Sequence, residues 1–194
     1  DALTRSAGLL DRSHAGRLKL IGKDSLDLLD RLSTNDLMSL HVDHGIPTVL
    51  TSNKGRIIDL LFVFRESDSL LVLTAPKNQR RVADWIKFYI FAEDVVIQDV
   101  TEEMAMLSVF GPKGATLLGQ VSGADIACVK QYSSTRVNIA GVKTTIIRSD
   151  FGEVNSYDLI AVKQEVPKLW KELLDKGNSL EVKPVSLEVL DILR

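Results

Sequence analysis

Leu18-Lys19-Leu20-Ile21-Gly22, followed by Lys23-Asp24-Ser25-Leu26-Asp27-Leu28-Leu29, is echoed 89 residues later by Leu107-Ser108-Val109-Phe110-Gly111 and Pro112-Lys113-Gly114-Ala115-Thr116-Leu117-Leu118. Each copy reads as an alternating strand, a glycine that ends it, and a short helix with paired leucines. The echo continues downstream. Gly55 and Gly141 each open a strand-like run, and Trp85 and Trp170 each sit on a helix that follows, at offsets of 86 and 85. Agreement at three places in the same order predicts an internal duplication. The expected division is 1–100 for the first half and 101–194 for the second. The start at Asp1 and the stop at Arg194 read as a piece ending before a further C-terminal domain.

Around that echo the remaining elements fall into place. Arg17–Ile21 alternates as a half-buried strand, and Asp24–Leu32 puts Leu26, Leu28, Leu29 and Leu32 on one helical stripe. Pro47–Thr51 is a short strand, and Asn53-Lys54-Gly55 is a hairpin turn. Ile57–Phe64, apolar except for Asp59, reads as a central strand covered on both faces. Leu70–Thr74 and Val95–Val100 are strands, and Asn78–Phe91 is a helix. In the second half, Ala105–Phe110, Val137–Ile139, Val142–Ile147 and Tyr157–Val162 are strands. Lys113–Leu118 and Val166–Leu174 are helices, the latter closed by Lys176-Gly177 as a C-terminal cap. A last helix is expected over Leu187–Leu193. Hairpins outnumber crossovers, so the class is α+β with mostly antiparallel sheets. No glycine-rich phosphate loop is present.

Composition narrows the function. The chain has 194 residues, 45% hydrophobic, with a net charge of −2 and acids and bases interleaved. Nucleic-acid binding needs a basic face to displace counterions, and none is evident. One cysteine, Cys128, permits neither an internal disulfide nor a cysteine-held metal. The three histidines lack ligand spacing, so no metal is expected. No apolar run reaches the ~20 residues of a membrane span. With no signal peptide visible, a reducing cytoplasmic setting is expected.

Asp59 is the candidate catalytic group. A carboxylate inside an apolar strand costs free energy unless paired, and such groups serve as ligands or acids. The alternative is a strand-end residue, solvated or bonded to the Gly55 turn. Asp158 is the comparable position of the second half. Phe151 is a loop aromatic able to stack on a flat ligand, and His14 is a possible base. No Ser/His/Asp or Cys/His constellation assembles.

At these residues the chain resembles the glycine-cleavage T-protein superfamily of folate-binding proteins. Gly8-Leu9-Leu10-Asp11-Arg12-Ser13-His14 is similar to that family's Gly-Leu-Phe-Asp-x-Ser-His opening, and Leu32-Ser33-Thr34-Asn35-Asp36 to its Leu-x-Thr-Asn-Asp segment. Gly55–Arg65 is similar to its Gly-Gly-x-Ile-Asp-Asp-Leu-x-Val strand, and Val109-Phe110-Gly111-Pro112 to its Leu-x-Gly-Pro turn. The final Leu190–Arg194 is similar to the start of a stretch that runs on to Glu-Ala-Gly in relatives. The resemblance implies a duplicated folate-binding fold, with tetrahydrofolate as ligand.

In the family, a methylene group passes from an aminomethyl-lipoyl carrier to tetrahydrofolate, and the second Asp of the Asp-Asp pair orients that transfer. Here Asp59 stands at the first Asp and Leu60 at the second. The pterin-gripping Glu falls at Asp158, the loop Tyr at Phe151, and a strand Asn at Thr74. Val72 on the same strand and Lys54 in the hairpin turn complete the expected folate contacts. Lys77, Arg80 and Arg81 are candidates for the glutamate tail. An Arg usual in the final helix falls near Leu190.

The loss at Leu60, together with the Lys/Gly turn of Thr51–Arg56, is closer to the YgfZ-type branch, folate-binding factors that support iron–sulfur enzymes. The first expectation is therefore a tetrahydrofolate-binding protein with little or no transfer activity. The second is a divergent aminomethyltransferase served by a lipoyl carrier. One step along a strand reverses the side-chain face, so Asp59 could replace the lost carboxylate only through a bulge or register shift. The third is a scaffold or interaction domain without folate.

Overall fold

A computed structural model describes residues 5–150, 152 and 154–186. Its elements run β1 (Gly8–Asp11), β2 (Gly16–Ile21), α1 (Ser25–Leu32), β3 (Gly45–Thr51), β4 (Ile57–Arg65), β5 (Ser69–Thr74), α2 (Gln79–Lys87) and β6 (Val96–Asp99). Then follow β7 (Met104–Phe110), α3 (Gly114–Ser122), β8 (Ser134–Ile139), β9 (Val142–Arg148), β10 (Ser156–Val162), α4 (Val166–Gly177) and β11 (Lys183–Pro184). The class is α+β, with two sheets that are almost wholly antiparallel. The expected helix over Leu187–Leu193 lies outside the described residues.

The chain forms two compact units. His14–Glu102 makes one, and the described residues up to Ser13 and from Glu103 onward make the other. The first unit runs β2-α1-β3-β4-β5-α2-β6 in a sheet ordered β3-β4-β5-β2-β6. The second runs β7-α3-β8-β9-β10-α4-β11 in a sheet ordered β8-β9-β10-β7-β1-β11. Strand for strand the orders correspond, with one insertion: β1 lies between β7 and β11. It pairs antiparallel with β7 and parallel with β11, so β11 keeps the direction relative to β7 that β6 has relative to β2. The described residues up to Ser13 therefore belong with the second unit. Four residues with no clean alternation gave no strand signal for β1 in the sequence.

Each unit has its own core, on the sheet face that its helices cover. In the first, Leu18, Leu20, Leu61, Val63 and Val72 meet Leu28 and Leu29 of α1 and Val82 and Ile86 of α2. In the second, Leu107, Val109, Tyr157 and Leu159 meet Leu117 and Leu118 of α3 and Leu169 and Leu173 of α4. The leucine pairs of the echo are thus the helical side of both cores. Full burial of such a side chain contributes about 1.5–3 kcal/mol.

Three expectations need correction. β4 is covered on both faces only over its second half, because Ile57 and Leu60 are exposed. α2 stops at Lys87, since Phe88 to Ile90 turn away with Tyr89 and Ile90 resting on the core. Gly177 is not a left-handed cap. The chain continues into a single 3₁₀ turn, Asn178–Leu180, and the left-handed residue is Glu181 at φ 60°. Gly177 is required by proximity: a Cβ there would lie 2.7 Å from Val182 Cβ. The β8–β9 hairpin turns as expected, through Ala140 and Gly141, both at positive φ.

Gly177→Ala is expected to destabilise the chain by about 1–3 kcal/mol through overpacking. In urea denaturation the midpoint should fall with the slope unchanged. An unaltered midpoint would show that α4 can move off Val182 at no cost.

Candidate functional site

Asp59 sits beside a β-bulge. Pairing between β3 and β4 proceeds regularly from Gly45↔Phe64 to Leu50↔Asp59 and then jumps to Thr51↔Ile57, leaving Ile58 as the extra residue. The bulge lets Ile58 join the helix-covered core together with Leu61 and Val63. Asp59 shares the face of Leu61 and Val63 by strand alternation and is 6% exposed. Leu60, on the opposite face, is 50% exposed.

Both carboxylate oxygens of Asp59 are engaged. Oδ1 accepts the N–H of Leu60 at 2.8 Å and Oδ2 accepts the N–H of Ala75 at 3.0 Å. The bulge's own carbonyl, on Ile58, accepts from Asn78 Nδ2 at 3.2 Å. Asp59 and Asn78 thereby tie the irregular start of β4 to the β5–α2 turn. Asp59 is neither solvated nor bonded to the Gly55 turn.

Thr74, the last residue of β5, is buried beside this corner, and its hydroxyl donates to the Ala75 carbonyl at 3.0 Å. Gly16 makes room for it, since a Cβ on residue 16 would lie 2.2 Å from Thr74 Oγ1. Val72 is wholly inside the core and offers no surface to a ligand. Lys54 is exposed in the hairpin turn. On the same unit a cavity of about 670 Å³ lies between the bulge and α2, lined by Ser52, Ile58, Arg81, Asp84, Trp85 and Phe88. Trp85 and Phe88 stack there with centroids 6.4 Å apart. Sequence reasoning missed this cavity because the bulge that opens it leaves no pattern in the residue types.

In the second unit Asp158 lies in the middle of β10, opposite Ser108 of β7. It is 2% exposed. Its Oδ1 accepts from the Ser108 hydroxyl and from Arg12 Nη1, the latter at 3.1 Å, and its Oδ2 accepts from Ser149 Oγ at 2.7 Å. Asp158 and Ser108 lie one residue off from Tyr157 and Val109, which are in the core, so they occupy the sheet face away from α3 and α4. The Arg12 side chain is 19% exposed and thus partly reachable.

The loop that delivers Ser149 is braced by Arg148. Its Nε donates to Asp150 Oδ1 and Oδ2 at 3.1 and 2.9 Å, and its Nη1 donates to the Val129 carbonyl at 3.0 Å. The hydrogen bond to Asp150 raises the Arg148 pKa above its ordinary value. Arg12 and the two serines went unnoticed in the sequence because β1, the Ser149 loop and β10 meet only through sheet pairing.

Phe151 lies outside the described residues, as does Leu190. His14 is exposed in the turn after β1. Lys77, Arg80 and Arg81 are exposed around the start of α2. Among the described residues no group of three or more His, Cys, Asp or Glu is placed to hold a metal ion. No described helix is long and apolar enough to cross a membrane.

Comparison with known proteins places this geometry. The GCVT N-terminal domain family matches residues 1–194. The aminomethyltransferase of Bacillus subtilis (strain 168) is 30% identical over 197 residues, covering 100% of this chain and 54% of that protein. The aminomethyltransferase of Caldanaerobacter subterraneus subsp. tengcongensis is also 30% identical, covering 100% of this chain and 52% of that protein. The chain thus spans about half the length of these relatives. Among solved structures, the glycine cleavage system aminomethyltransferase T of Bartonella henselae superposes with a TM-score of 0.86 at 19% identity, covering 99% of this chain and 51% of that one. A chain of the heterotetrameric sarcosine oxidase of Corynebacterium sp. U-96 superposes with a TM-score of 0.70 at 16% identity, covering 91% of this chain and 86% of that one. These two likenesses establish the fold.

Asp59→Ala is expected to cost about 1–3 kcal/mol, because the Leu60 and Ala75 N–H groups lose their charged acceptor. Asp59→Asn, which keeps one acceptor oxygen but turns an NH₂ donor towards the other N–H, should recover only part of that loss. Urea denaturation of the two variants checks this. Equal, negligible losses would mean that the corner holds without the carboxylate.

Proposed function

This chain belongs to the GCVT N-terminal domain family, that of the glycine-cleavage T-proteins, and we propose that it is a tetrahydrofolate-binding portion that does not perform aminomethyl transfer, akin to the YgfZ-type branch. One observation carries the reading. On the half-exposed face of β4, where the family's second Asp would stand, this chain has Leu60, and the neighbouring Asp59 has both oxygens committed to main-chain amides on the other side. A leucine side chain can neither accept a proton nor steady a cationic amine. The bulge at Ile58 meets the formal condition for Asp59 to change its role, yet it leaves the carboxylate bonded to Ala75 rather than on Leu60's face.

Folate recognition falls to Asp158 in this reading. Bound tetrahydrofolate would supply the one-carbon-carrying ring system and a set of pterin N–H donors. A carboxylate has about four acceptor positions. Three on Asp158 are filled by Arg12, Ser108 and Ser149, which leaves one acceptor position, on Oδ2, where only Ser149 is bonded. A paired N–H edge fits when a serine hydroxyl rotates away. The partners that go with this reading are folate and iron–sulfur enzymes.

A second reading, a divergent aminomethyltransferase served by a lipoyl carrier, is favoured by the 30% identity to aminomethyltransferases over the whole chain. It requires a catalytic group other than Leu60.

Anaerobic calorimetric titration with tetrahydrofolate tests the proposal. Saturable binding is expected, weakened about tenfold or more in Asp158→Ala, the loss typical of a hydrogen bond to a charged group. An aminomethyl-transfer assay on the same protein should show no ammonia release above background. Failure of the folded chain to bind would overturn the folate reading, and robust ammonia release would favour the transferase.

A further inference from the structure

The outer face of α2 departs from its counterpart in the sister unit. Val82 and Ile86 of α2 and Leu169 and Leu173 of α4 are buried pairs, four residues apart in each helix. In that register Trp85 and Phe88 stand where α4 has Glu172 and Asp175, and the tryptophans of the sequence echo are not equivalent. The α4 face is of the solvated kind, with Lys171 and Asp175 paired. The same face of α2 carries two stacked aromatic rings, their centroids 6.4 Å apart, and Phe88 is 68% exposed. The architecture does not ask for aromatic side chains there. A lone exposed apolar residue is ordinary, whereas an exposed aromatic cluster marks a surface that another molecule covers.

A second departure meets the first. β8 and β9 pair without a break from Ser134↔Ile147 to Ile139↔Val142, whereas their counterparts β3 and β4 slip at Ile58. The residue added by that slip lines the same cavity of about 670 Å³ as Trp85 and Phe88. Bulges commonly re-aim side chains beside functional sites. Two features that the sister unit lacks thus build one concave site with aromatic and aliphatic walls, which no role assigned above uses.

Charge around the cavity selects the occupant. The charged residues of α2 are Arg80, Arg81, Asp84 and Lys87, three cations against one anion. All four are exposed, as are Lys54 and Arg56 in the hairpin turn after Ser52, itself a lining residue. Among the described residues neither Arg81 nor Asp84 takes part in an ion pair or a side-chain hydrogen bond. A cationic rim favours an acidic partner and opposes a second copy of the chain docking rim to rim. An anionic bilayer is flat, so it would leave the cavity unfilled and set its phosphates against Asp84. A peptide suits every group. One aromatic or large aliphatic side chain packs against Trp85, Phe88 and Ile58, as interface anchors do. Flanking acidic side chains meet Arg80, Arg81 and Lys87, and a main-chain N–H donates to the Asp84 carboxylate.

We propose that the cavity between the β4 bulge and α2 docks an acidic peptide segment of a partner protein through one aromatic or large aliphatic anchor.

The test is titration of the ¹⁵N-labelled chain at low ionic strength with the peptide acetyl-Asp-Glu-Phe-Glu-Asp-amide. Binding is followed through the Trp85 indole N–H and the amides of Ser52 and Asp84, with the Trp170 indole as internal reference. Saturable shifts are expected at Trp85 and none at Trp170. Replacing the peptide's Phe by Ala should weaken binding about tenfold, the loss typical of an anchor. Replacing its acids by Asn and Gln should weaken it about fivefold, an effect that added salt removes. Phe88→Asp, which installs the sister helix's residue at an exposed position, should weaken the acidic peptide about tenfold. Arg81→Gln should weaken the acidic peptide but not its amide counterpart. Absence of a saturable shift at Trp85 overturns the proposal. Equal affinity for the Ala peptide does so too, since it would mark a site for an acidic tail without an anchor. Equal affinity for the amide peptide, or unchanged binding in both Phe88→Asp and Arg81→Gln, is equally fatal. Sedimentation with equimolar phosphatidylserine–phosphatidylcholine vesicles that Phe88→Asp abolishes would assign the surface to a membrane instead.

Discussion

The one-residue slip between β3 and β4 at Ile58 decides what chemistry the first unit can present. Strand side chains alternate with period two, so a carboxylate moved by one position changes face altogether. The bulge admits Ile58 to the core and leaves Asp59 on the same side, where the amides of Leu60 and Ala75 are in reach. The opposite face receives Leu60, followed by Phe62 and Phe64. That face is therefore apolar along β4, and whatever reaction or ligand it serves must draw its polar groups from elsewhere. Asp59 has become part of the scaffold. It satisfies amides that the bulge and the β5 terminus would otherwise leave without acceptors, and a lost buried hydrogen bond costs more than a formed one gains.

The two units use one architecture for different ends. The same cross-strand place holds Lys19 opposite Leu71 in the first and Ser108 opposite Asp158 in the second. Lys19 reaches outward to Glu66, a partly exposed pair of small energetic weight. Asp158 is buried and gathers three donors from three segments: β7, the Ser149 loop, and the residue after β1. The insertion of β1 is what brings Arg12 there, because Leu10 pairs with Ser108 and the chain leaves the sheet two residues later. The strand that breaks the symmetry of the duplication is thus also the one that furnishes the cation of the polar cluster.

Much of this was legible in the sequence, for identifiable reasons. The echo of strand, glycine and leucine-paired helix reflects a real packing requirement, since each unit closes its sheet with the same two helices. The hairpin at Ala140-Gly141 and the turn at Asn53–Gly55 were readable from their glycines, Gly141 and Gly55, both of which take positive φ. Asp59 and Asp158 stood out because carboxylates within apolar runs must be paired. What paired them was not readable. Asp59 depends on a bulge, which is a fact about register, and Asp158 depends on Arg12, 146 residues away. Gly177 was misread for a related reason: a glycine after a helical run signals a cap, but here the demand comes from Val182, which folds back against it.

The duplication also bears on whether the Asp158 cluster exists for stability or for a ligand. Burying a carboxylate and a guanidinium carries a desolvation cost that apolar residues of similar volume avoid, often at no loss of stability. The first unit is the relevant comparison, built within the same chain. It forms the same sheet with an aliphatic side chain at the position equivalent to Asp158 and keeps it buried. The architecture therefore does not require a carboxylate in the middle of this strand. The second unit nevertheless recruits two hydroxyls and an arginine to hold one. Arg12, unlike Asp158, remains partly open to solvent. A polar cluster that the sister sheet does without, with one member reachable from outside, is what the folate reading proposed above would require.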